Sequence, residues 1–184
     1  MKPFQSLTAL AQQAVREVLG DGALAIDATV GNGHDTLFLA GRVAPQGHVI
    51  GFDIQRPALE KTRARLFAAG LEAAATLHFC GHERMLEKIP HDWSGQVSAV
   101  MFNLGYLPGG DKTRITKAET TISALNQALA LLSNGGLISL LLYRGHAGAE
   151  TDAVLGWLDQ LGPRYRIRSQ DSPGPVFYLI ERLR

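Results

Sequence analysis

The sequence has few cysteines, no long apolar run and little net charge, and each of these absences excludes a class of protein. A single cysteine, Cys80, excludes an intrachain disulfide framework. No apolar run approaches the length of a membrane span, and residues 1–6 lack the apolar segment of a signal peptide. The formal net charge is only +1, so any basic surface for nucleic acid has to be local. These absences predict a cytoplasmic protein with no membrane partner.

What is present indicates one α/β domain over residues 1–184, because 184 residues can build one full core but not two comfortable ones. Apolar runs that read as strands alternate with helix-periodic segments. The predicted strands lie at about 24–26, 49–53, 75–80, 97–103, 137–143, 164–170 and 176–181. This order predicts a mostly parallel seven-stranded sheet with helices on both faces and a C-terminal antiparallel hairpin.

The stretch 24–36 is the one around which the chain is organised. An apolar strand is followed by an acid, Asp27, and then by the turn Gly31-Asn32-Gly33, where no bulky Cβ obstructs a ligand. A helix-periodic run follows, so the turn leads into a helix N-terminus with free backbone N–H groups. Ligands of α/β sheets bind at the carboxyl ends of strands, and the stretch therefore indicates a nucleotide-type site.

The glycine turn does not fit the common phosphate-binding loops. Thr36 stands where a dinucleotide loop has its third glycine, and no lysine of a P-loop is present. The pattern that fits is acid-x-small-x-Gly-x-Gly, at Asp27, Thr29, Gly31 and Gly33. A carboxylate there suits a cation, such as S-adenosylmethionine with its sulfonium and ammonium groups, better than a pyrophosphate. The alternative is an ordinary glycine turn beside a helix-associated acid.

Asp53 directly follows the next apolar run, residues 48–52. It is expected to accept hydrogen bonds from both ribose hydroxyls of such a ligand.

The end of the fourth predicted strand carries a second motif. Asn103-Leu104-Gly105-Tyr106 resembles the Asn-Pro-Pro-Tyr motif of methyltransferases that modify amines, with both prolines replaced. An amide oxygen and a neighbouring carbonyl accept the two N–H bonds of an amine and leave its lone pair aimed at the methyl group. Tyr106 offers a ring for stacking on a base. The alternative is that Asn103 caps a turn and Tyr106 fills a surface groove.

Five segments together resemble the YtqB-like family of class I methyltransferases, long labelled rRNA methylases. The segments are DATVGNGHDT at 27–36, GFDIQ at 51–55, GHE at 81–83, NLGYLPGGDK at 103–112 and YRGH at 143–146. That family includes the MnmM group, the tRNA 5-(aminomethyl)-2-thiouridine methyltransferases. The resemblance implies a Rossmann-like fold and methyl transfer from S-adenosylmethionine to the aminomethyl nitrogen of a wobble uridine, in the anticodon region of tRNA. One departure is Ala149, where a second glycine is expected after Gly148.

The resemblance also implies roles for individual residues in cofactor binding. The residues expected around the methionine part of the cofactor are Asp27, Asn32, Gly33, Asp35 and Thr36, next to Thr29 and Gly31 of the same loop. Asp53 and Gln55 are expected at the ribose, and His82 and Glu83 at the adenine. Two of these residues have alternatives: His82 as a solvent-facing loop histidine, and Asp35 as a first-turn acid that favours the helix dipole.

For catalysis, we expect Asn103 and Tyr106 to present the amine, with Asp111 and His146 as candidates to take its proton. A structural loop role is an equal alternative for His146. No metal is expected. Cys80 is interpreted as a small buried hydrophobic residue.

Two basic groups are candidates for RNA phosphates. Lys112, Arg114 and Lys117 follow the Asn103 loop, and Arg164, Arg166 and Arg168 alternate along one strand. The alternative for the arginines is an edge strand protected by charge. An exposed face of the last strands would also allow a homodimer.

Other functions remain open on the residues alone. They are methylation of rRNA or of a small-molecule amine, a nicotinamide-dependent oxidoreductase, and an RNA-binding module without catalysis. Thr36 and Asp27 argue against the oxidoreductase, and Asn103 argues against a pure binding module.

Overall fold

The computed structural model describes residues 6–105, 116–143 and 148–184. The strands in these ranges are β1 (Leu24–Asp27), β2 (His48–Asp53), β3 (Ala75–Phe79), β4 (Val97–Leu104), β5 (Leu132–Tyr143), β6 (Tyr165–Gln170) and β7 (Pro175–Arg182). The α-helices are α1 (Leu7–Val18), α2 (His34–Val43), α3 (Arg56–Ala68), α4 (Met85–Lys88), α5 (Ala118–Leu131) and α6 (Gly148–Asp159). Short 3₁₀ turns lie at Glu72–Ala74, His82–Arg84 and His91–Trp93.

The strands form one seven-stranded sheet in the order β3-β2-β1-β4-β5-β7-β6. Strands β1 to β5 pair in parallel, whereas β7 pairs antiparallel with both β5 and β6. The predicted parallel sheet with a terminal antiparallel hairpin is therefore confirmed. The order reverses between β1 and β4, and the carboxyl ends of these two strands open a crevice of the kind that binds ligands in such sheets.

Both faces of the sheet are covered, which explains the nearly continuous apolar runs of its strands. Successive residues of β4 point to opposite faces: Val100 and Phe102 belong to one buried cluster, whereas Ala99 and Met101 belong to the other. The first cluster is completed by α4, α5 and α6, and the second by α1, α2 and α3. None of the helices described here is both long and apolar enough to traverse a bilayer.

The element boundaries differ from the predicted ones mainly in β5. The sequence predicts a turn at Asn134-Gly135-Gly136 before the strand, but β5 already starts at Leu132. Pairing with β4 jumps from Val97↔Leu132 to Ala99↔Leu137, and Gly135 has φ +80°, so the predicted turn is an irregularity inside the strand.

Candidate active site

A cavity of about 500 Å³ lies at the carboxyl ends of β1, β2 and β4, within the size range of cofactor sites. Most of the predicted cofactor residues and Asn103 line it: Thr29, Gly31, Asn32, Asp35, Asp53, Gln55, His82, Glu83 and Asn103. Tyr106, Asp111 and His146 lie outside the described residues, as do Lys112 and Arg114. Asp27, Gly33 and Thr36 are described, but they do not line the cavity. The described residues contain no group of three or more His, Cys, Asp or Glu side chains able to hold a metal ion.

The glycine loop is fixed by hydrogen bonds to the ends of both neighbouring strands. The Ala28 N–H donates to the Met101 carbonyl of β4 at 2.9 Å, and the Val30 N–H donates to the Phe52 carbonyl of β2 at 3.0 Å. The Gly31 N–H donates to a carboxylate oxygen of Asp53 at 2.8 Å. The loop therefore continues the sheet hydrogen bonding past the end of β1.

Gly33 is required for packing rather than for access to a ligand. It has φ +78° and caps the N-terminus of α2. A Cβ at this position would lie 2.8 Å from the Cβ of Thr62 in α3. The expectation that Gly33 opens the loop to a ligand is thus corrected: the missing side chain lets α3 approach the loop, and Thr62 donates to the Ala58 carbonyl at 2.9 Å.

Asp27 acts beneath the loop, contrary to the expectation that it faces the ligand. It is fully buried, at 0 % exposure. One of its oxygens accepts from the Thr29 N–H at 3.1 Å, and the other accepts from the Thr36 hydroxyl at 2.6 Å. Asp27 therefore joins the loop to α2, and both it and Thr36 lie behind the cavity wall. Burial, followed by the charge of Asp35, raises the pKa of Asp27 from 3.8 to about 7.

Asp53 lies at the cavity wall, where the sequence predicts it. Its two oxygens accept backbone N–H groups, from Gly31 at 2.8 Å and from Gln55 at 2.8 Å, and the Ile54 N–H is a third backbone donor to this carboxylate. A carboxylate has about four lone-pair sites, so an acceptor site is left beside these donors. Burial raises the pKa of Asp53, and the backbone donors of Gly31 and Gln55 counter this shift.

Asn103 and Asp35 form one network that the sequence does not reveal. The Asn103 side-chain N–H donates to one oxygen of Asp35 at 2.5 Å, and Gln12 of α1 donates to the other at 2.8 Å. The Asn103 backbone N–H donates to the Thr29 hydroxyl oxygen at 2.7 Å. Because the amide nitrogen is bound to Asp35, the orientation of the amide is fixed, and its oxygen has no partner among the described residues. With respect to the described part of the chain, that oxygen is left to accept a hydrogen bond in the cavity.

His82 is a buried residue of the cavity wall, so its alternative as a solvent-facing histidine is wrong. It is 7 % exposed. Its Nδ1 lies 3.2 Å from the Ala28 carbonyl, and its ring meets the Phe102 ring edge-on at 5.8 Å between centroids. Burial lowers the pKa of His82, so the neutral ring is favoured. A neutral ring that donates from Nδ1 to Ala28 leaves Nε2 as an acceptor.

Cys80, expected to be a small buried hydrophobic residue, is half-buried and lines the cavity beside Gly81 and Glu83. Burial raises the pKa of its thiol. It is therefore a neutral, polarisable wall residue.

Several wall residues come from elements distant from the glycine loop: Thr8 of α1, Thr116, Lys117 and Thr120 at the start of α5, and Tyr143 at the end of β5. The sequence marks two of them, Lys117 as a basic residue and Tyr143 as the first residue of the YRGH segment, but it assigns neither to the cavity wall. Gln12, which reaches Asp35, is one polar position at the edge of an apolar helix face, and that pattern alone does not distinguish it.

The predicted arginine row lies on the sheet edge, away from the cavity lining. Arg166 and Arg168 are exposed on β6, and Arg168 pairs with Glu181 of β7 at 2.9 Å. This pair fits the alternative of a charge-protected edge strand.

The sequence and the fold were compared with known proteins. Residues 49–171 match the family described as “Putative rRNA methylase”. A chloroplastic tRNA (mnm(5)s(2)U34)-methyltransferase of Arabidopsis thaliana is 40% identical over 154 residues, which are 79% of this chain and 55% of the plant protein. The chain thus spans about half the length of that relative.

Two solved structures cover almost the whole chain. A “putative rRNA-methylase” of Clostridium thermocellum is 35% identical with a TM-score of 0.92, over 98% of this chain and 99% of that one. A “putative methyltransferase” of Streptococcus mutans, solved in complex with SAH, is 31% identical with a TM-score of 0.87, over 98% and 99% of the two chains.

Proposed function

Because this chain belongs to the family described as “Putative rRNA methylase”, we propose that it is an S-adenosylmethionine-dependent N-methyltransferase that acts on tRNA. The proposed acceptor is the aminomethyl nitrogen of a wobble 5-aminomethyl-(2-thio)uridine, in the anticodon region. The name of the 40% identical plant relative supports this acceptor over rRNA or a free amine.

The charges of the cavity wall support a cationic cofactor. The described lining contains the acids Asp35, Asp53 and Glu83 and only one lysine or arginine, Lys117. A pyrophosphate in this place would face a net negative wall, whereas a ligand with an ammonium and a sulfonium group would be attracted. The wall therefore fits S-adenosylmethionine and disfavours a nicotinamide dinucleotide.

The cofactor, when bound, supplies an electrophilic methyl group, and the described residues divide the work of binding it. Asp53 and Gln55 would hold the ribose, because the Asp53 carboxylate keeps acceptor capacity beside its backbone donors Gly31, Ile54 and Gln55. The glycine loop and Asp35 would hold the amino-acid part, and His82 and Glu83 the base.

The observation that carries the proposal is the fixed amide of Asn103. An alkyl amine attacks only when its lone pair is free and aimed, so its two N–H bonds need acceptors on the side away from the methyl group. The Asp35 carboxylate holds the amide nitrogen of Asn103, so the amide oxygen is left for one of those N–H bonds. The Leu104 carbonyl is the proposed second acceptor. A cofactor-binding module without catalysis has no need of this arrangement.

The decisive experiment incubates the protein with labelled S-adenosylmethionine and total tRNA, followed by digestion and identification of the labelled nucleoside. We expect label in 5-methylaminomethyl-2-thiouridine and none in an equal mass of rRNA. Label in rRNA alone would show that the acceptor lies in rRNA and not in tRNA. Tight NADH binding in calorimetry, with no binding of S-adenosylmethionine, would overturn the proposal as a whole.

A homodimer through β6, whose residues 166–170 are exposed at the edge of the sheet, is also proposed. Light scattering of the protein at micromolar concentration tests it.

A further inference from the structure

A second buried carboxylate lies close to the cavity without lining it. Glu150, in the first turn of α6, is 3 % exposed. Its oxygens accept from the Thr121 hydroxyl of α5 at 2.6 Å and from the Thr116 hydroxyl at 2.8 Å. Two hydroxyl donors and the N-terminal end of a helix dipole stabilise the charge. Desolvation of a carboxylate is costly even with these partners, so a buried Glu between two helices is unusual.

Other contacts besides this carboxylate hold α6 on α5. The Trp157 side chain donates to the Asn126 side-chain oxygen at 2.9 Å, and Val154 and Leu158 belong to the same buried cluster as Leu125. The hydrogen bond from Thr121 to Glu150 is one more contact between α5 and α6. The bond from Thr116 is different, because Thr116 precedes α5 and lines the cavity.

Thr116 connects Glu150 to the motif that begins at Asn103. The Thr116 backbone N–H donates to the Gly105 carbonyl at 3.3 Å. Gly105 lies two residues after Asn103, and both line the cavity together with Thr116. A continuous path therefore runs from Glu150, through the side chain and then the backbone of Thr116, to the segment that carries the amide and carbonyl acceptors.

We propose that Glu150 is a positioning residue for the acceptor side of the cavity, an inference that rests on the proposed methylation of an amine. Its carboxylate holds Thr116, which in turn holds the Gly105 carbonyl and the backbone that follows Asn103. Glu150 touches neither substrate nor cofactor. Its removal loosens the geometry of the acceptor while the cofactor half of the cavity, on β1 and β2, is unchanged.

Two matched variants separate positioning from stability. Thr116→Val and Thr121→Val each remove one hydroxyl bond to the same carboxylate and keep the side-chain volume. We expect Thr116→Val to lower kcat for tRNA methylation roughly tenfold, with the Kd of S-adenosylmethionine within about twofold of wild type. The two variants should lower Tm by similar amounts, because each loses one hydroxyl bond to Glu150. Thr121→Val should nevertheless retain kcat within about twofold of wild type. Equal kcat in the two variants would overturn the inference.

Glu150 itself is tested with two further variants of similar volume. In Glu150→Gln the amide oxygen accepts from one hydroxyl and the amide nitrogen donates to the other, so most of the turnover should be retained. Glu150→Leu loses both bonds and should resemble Thr116→Val. A loss of turnover in Glu150→Gln as large as in Glu150→Leu would show that the negative charge acts, and positioning would be wrong.

Hydrogen exchange gives a readout that does not depend on the acceptor. The amide of residue 116 should exchange faster in Glu150→Leu and Thr116→Val than in Thr121→Val or wild type, because its bond to Gly105 is weakened. Unchanged exchange at residue 116 overturns the inference even if no RNA is methylated. Faster exchange in a protein that methylates no RNA would instead support the contact and reject the proposed function.

Discussion

Asp53 is the residue whose removal should most directly weaken cofactor binding. Asp53→Ala deletes the proposed acceptor for the ribose hydroxyls and also frees the N–H groups of Gly31 and Gln55. Each charge-assisted bond contributes roughly 1.5–3 kcal/mol, so we expect the Kd of S-adenosylmethionine to rise at least about tenfold in calorimetry. Glu60→Ala, an exposed change on α3, is the control. An unchanged Kd in folded Asp53→Ala would remove Asp53 from the site.

Asn103 should act on turnover rather than on cofactor affinity. Asn103→Ala removes the oriented amide, and we expect kcat to fall on the order of 10²-fold while the Kd of the cofactor changes little. Single-turnover rates with saturating cofactor measure the first effect and calorimetry the second. Near-normal turnover in Asn103→Ala would show that another group orients the acceptor.

The proposed acceptor amine should also give the reaction a characteristic pH dependence. An alkyl amine is protonated at neutral pH and cannot attack, and neither an amide nor a carbonyl is a strong base. We therefore expect kcat to rise from neutral pH toward about 9, as the amine loses its proton. A flat profile from about pH 6 to 9 would indicate an acceptor oxygen or carbon instead.

Asp27 should make the protein less stable as the pH rises. Its folded-state pKa of about 7 lies above the ordinary 3.8, because burial disfavours the charged form. The folded state therefore holds the proton more tightly, so this contribution to stability is complete below about pH 4 and is lost as the pH rises through about 7. Between about pH 5 and 8 the loss amounts to about 2–3 kcal/mol at 1.36 kcal/mol per pH unit.

Urea unfolding at several pH values checks this expectation. Asp27→Asn keeps an acceptor for Thr29 and a partner for Thr36, and it should flatten the pH dependence of the unfolding free energy. Asp92→Asn, at an exposed position, should leave the dependence as in wild type. If the unfolding free energy depends on pH equally in Asp27→Asn and in wild type, other titratable groups cause the dependence.

At the scale of elements, α1 contributes Thr8 to the cavity wall and Gln12 to the hydrogen bonds of Asp35. It packs in the cluster on one face of the sheet through Ala11 and Val15, and from that position Gln12 donates to Asp35. Gln12→Ala should leave Asp35 and the Asn103 amide less constrained, and we expect a several-fold lower kcat with little change in Tm. Glu17→Ala, an exposed position on the same helix, is the control. Equal kcat in both variants would limit α1 to a packing role.

The elements could be predicted from the sequence because they depend on local patterns. The covered sheet makes its strands apolar, so the acid that ends the second apolar run identifies Asp53 as a wall residue. The resemblance of residues 103–106 to Asn-Pro-Pro-Tyr identifies Asn103. What could not be predicted depends on contacts between distant segments. The burial of Asp27, the collision of a Gly33 side chain with Thr62, and the bonds of Gln12 and Glu150 arise only when helices are placed over the sheet.

For the whole molecule, contacts between distant parts of the chain dominate the second face of the sheet. Val15 of α1 shares a buried cluster with Phe177 and Leu179 of β7. The same cluster includes Leu39 and Met101, close to the loop and to Asn103. The site is therefore supported by segments from both ends of the sequence, and its precision depends on the completed sheet.

The sheet order also constrains the folding pathway. β6 precedes β7 in the chain, yet it joins the sheet only by pairing with β7, which in turn pairs with β5. β6 therefore has no strand partner until β7 exists, so the hairpin should assemble as a unit late in folding, after a core of β1, β4 and β5. In pulse-labelled hydrogen exchange during refolding, amides of β6 and β7 should gain protection together and after those of β4. Protection of β6 ahead of β7 would contradict this order.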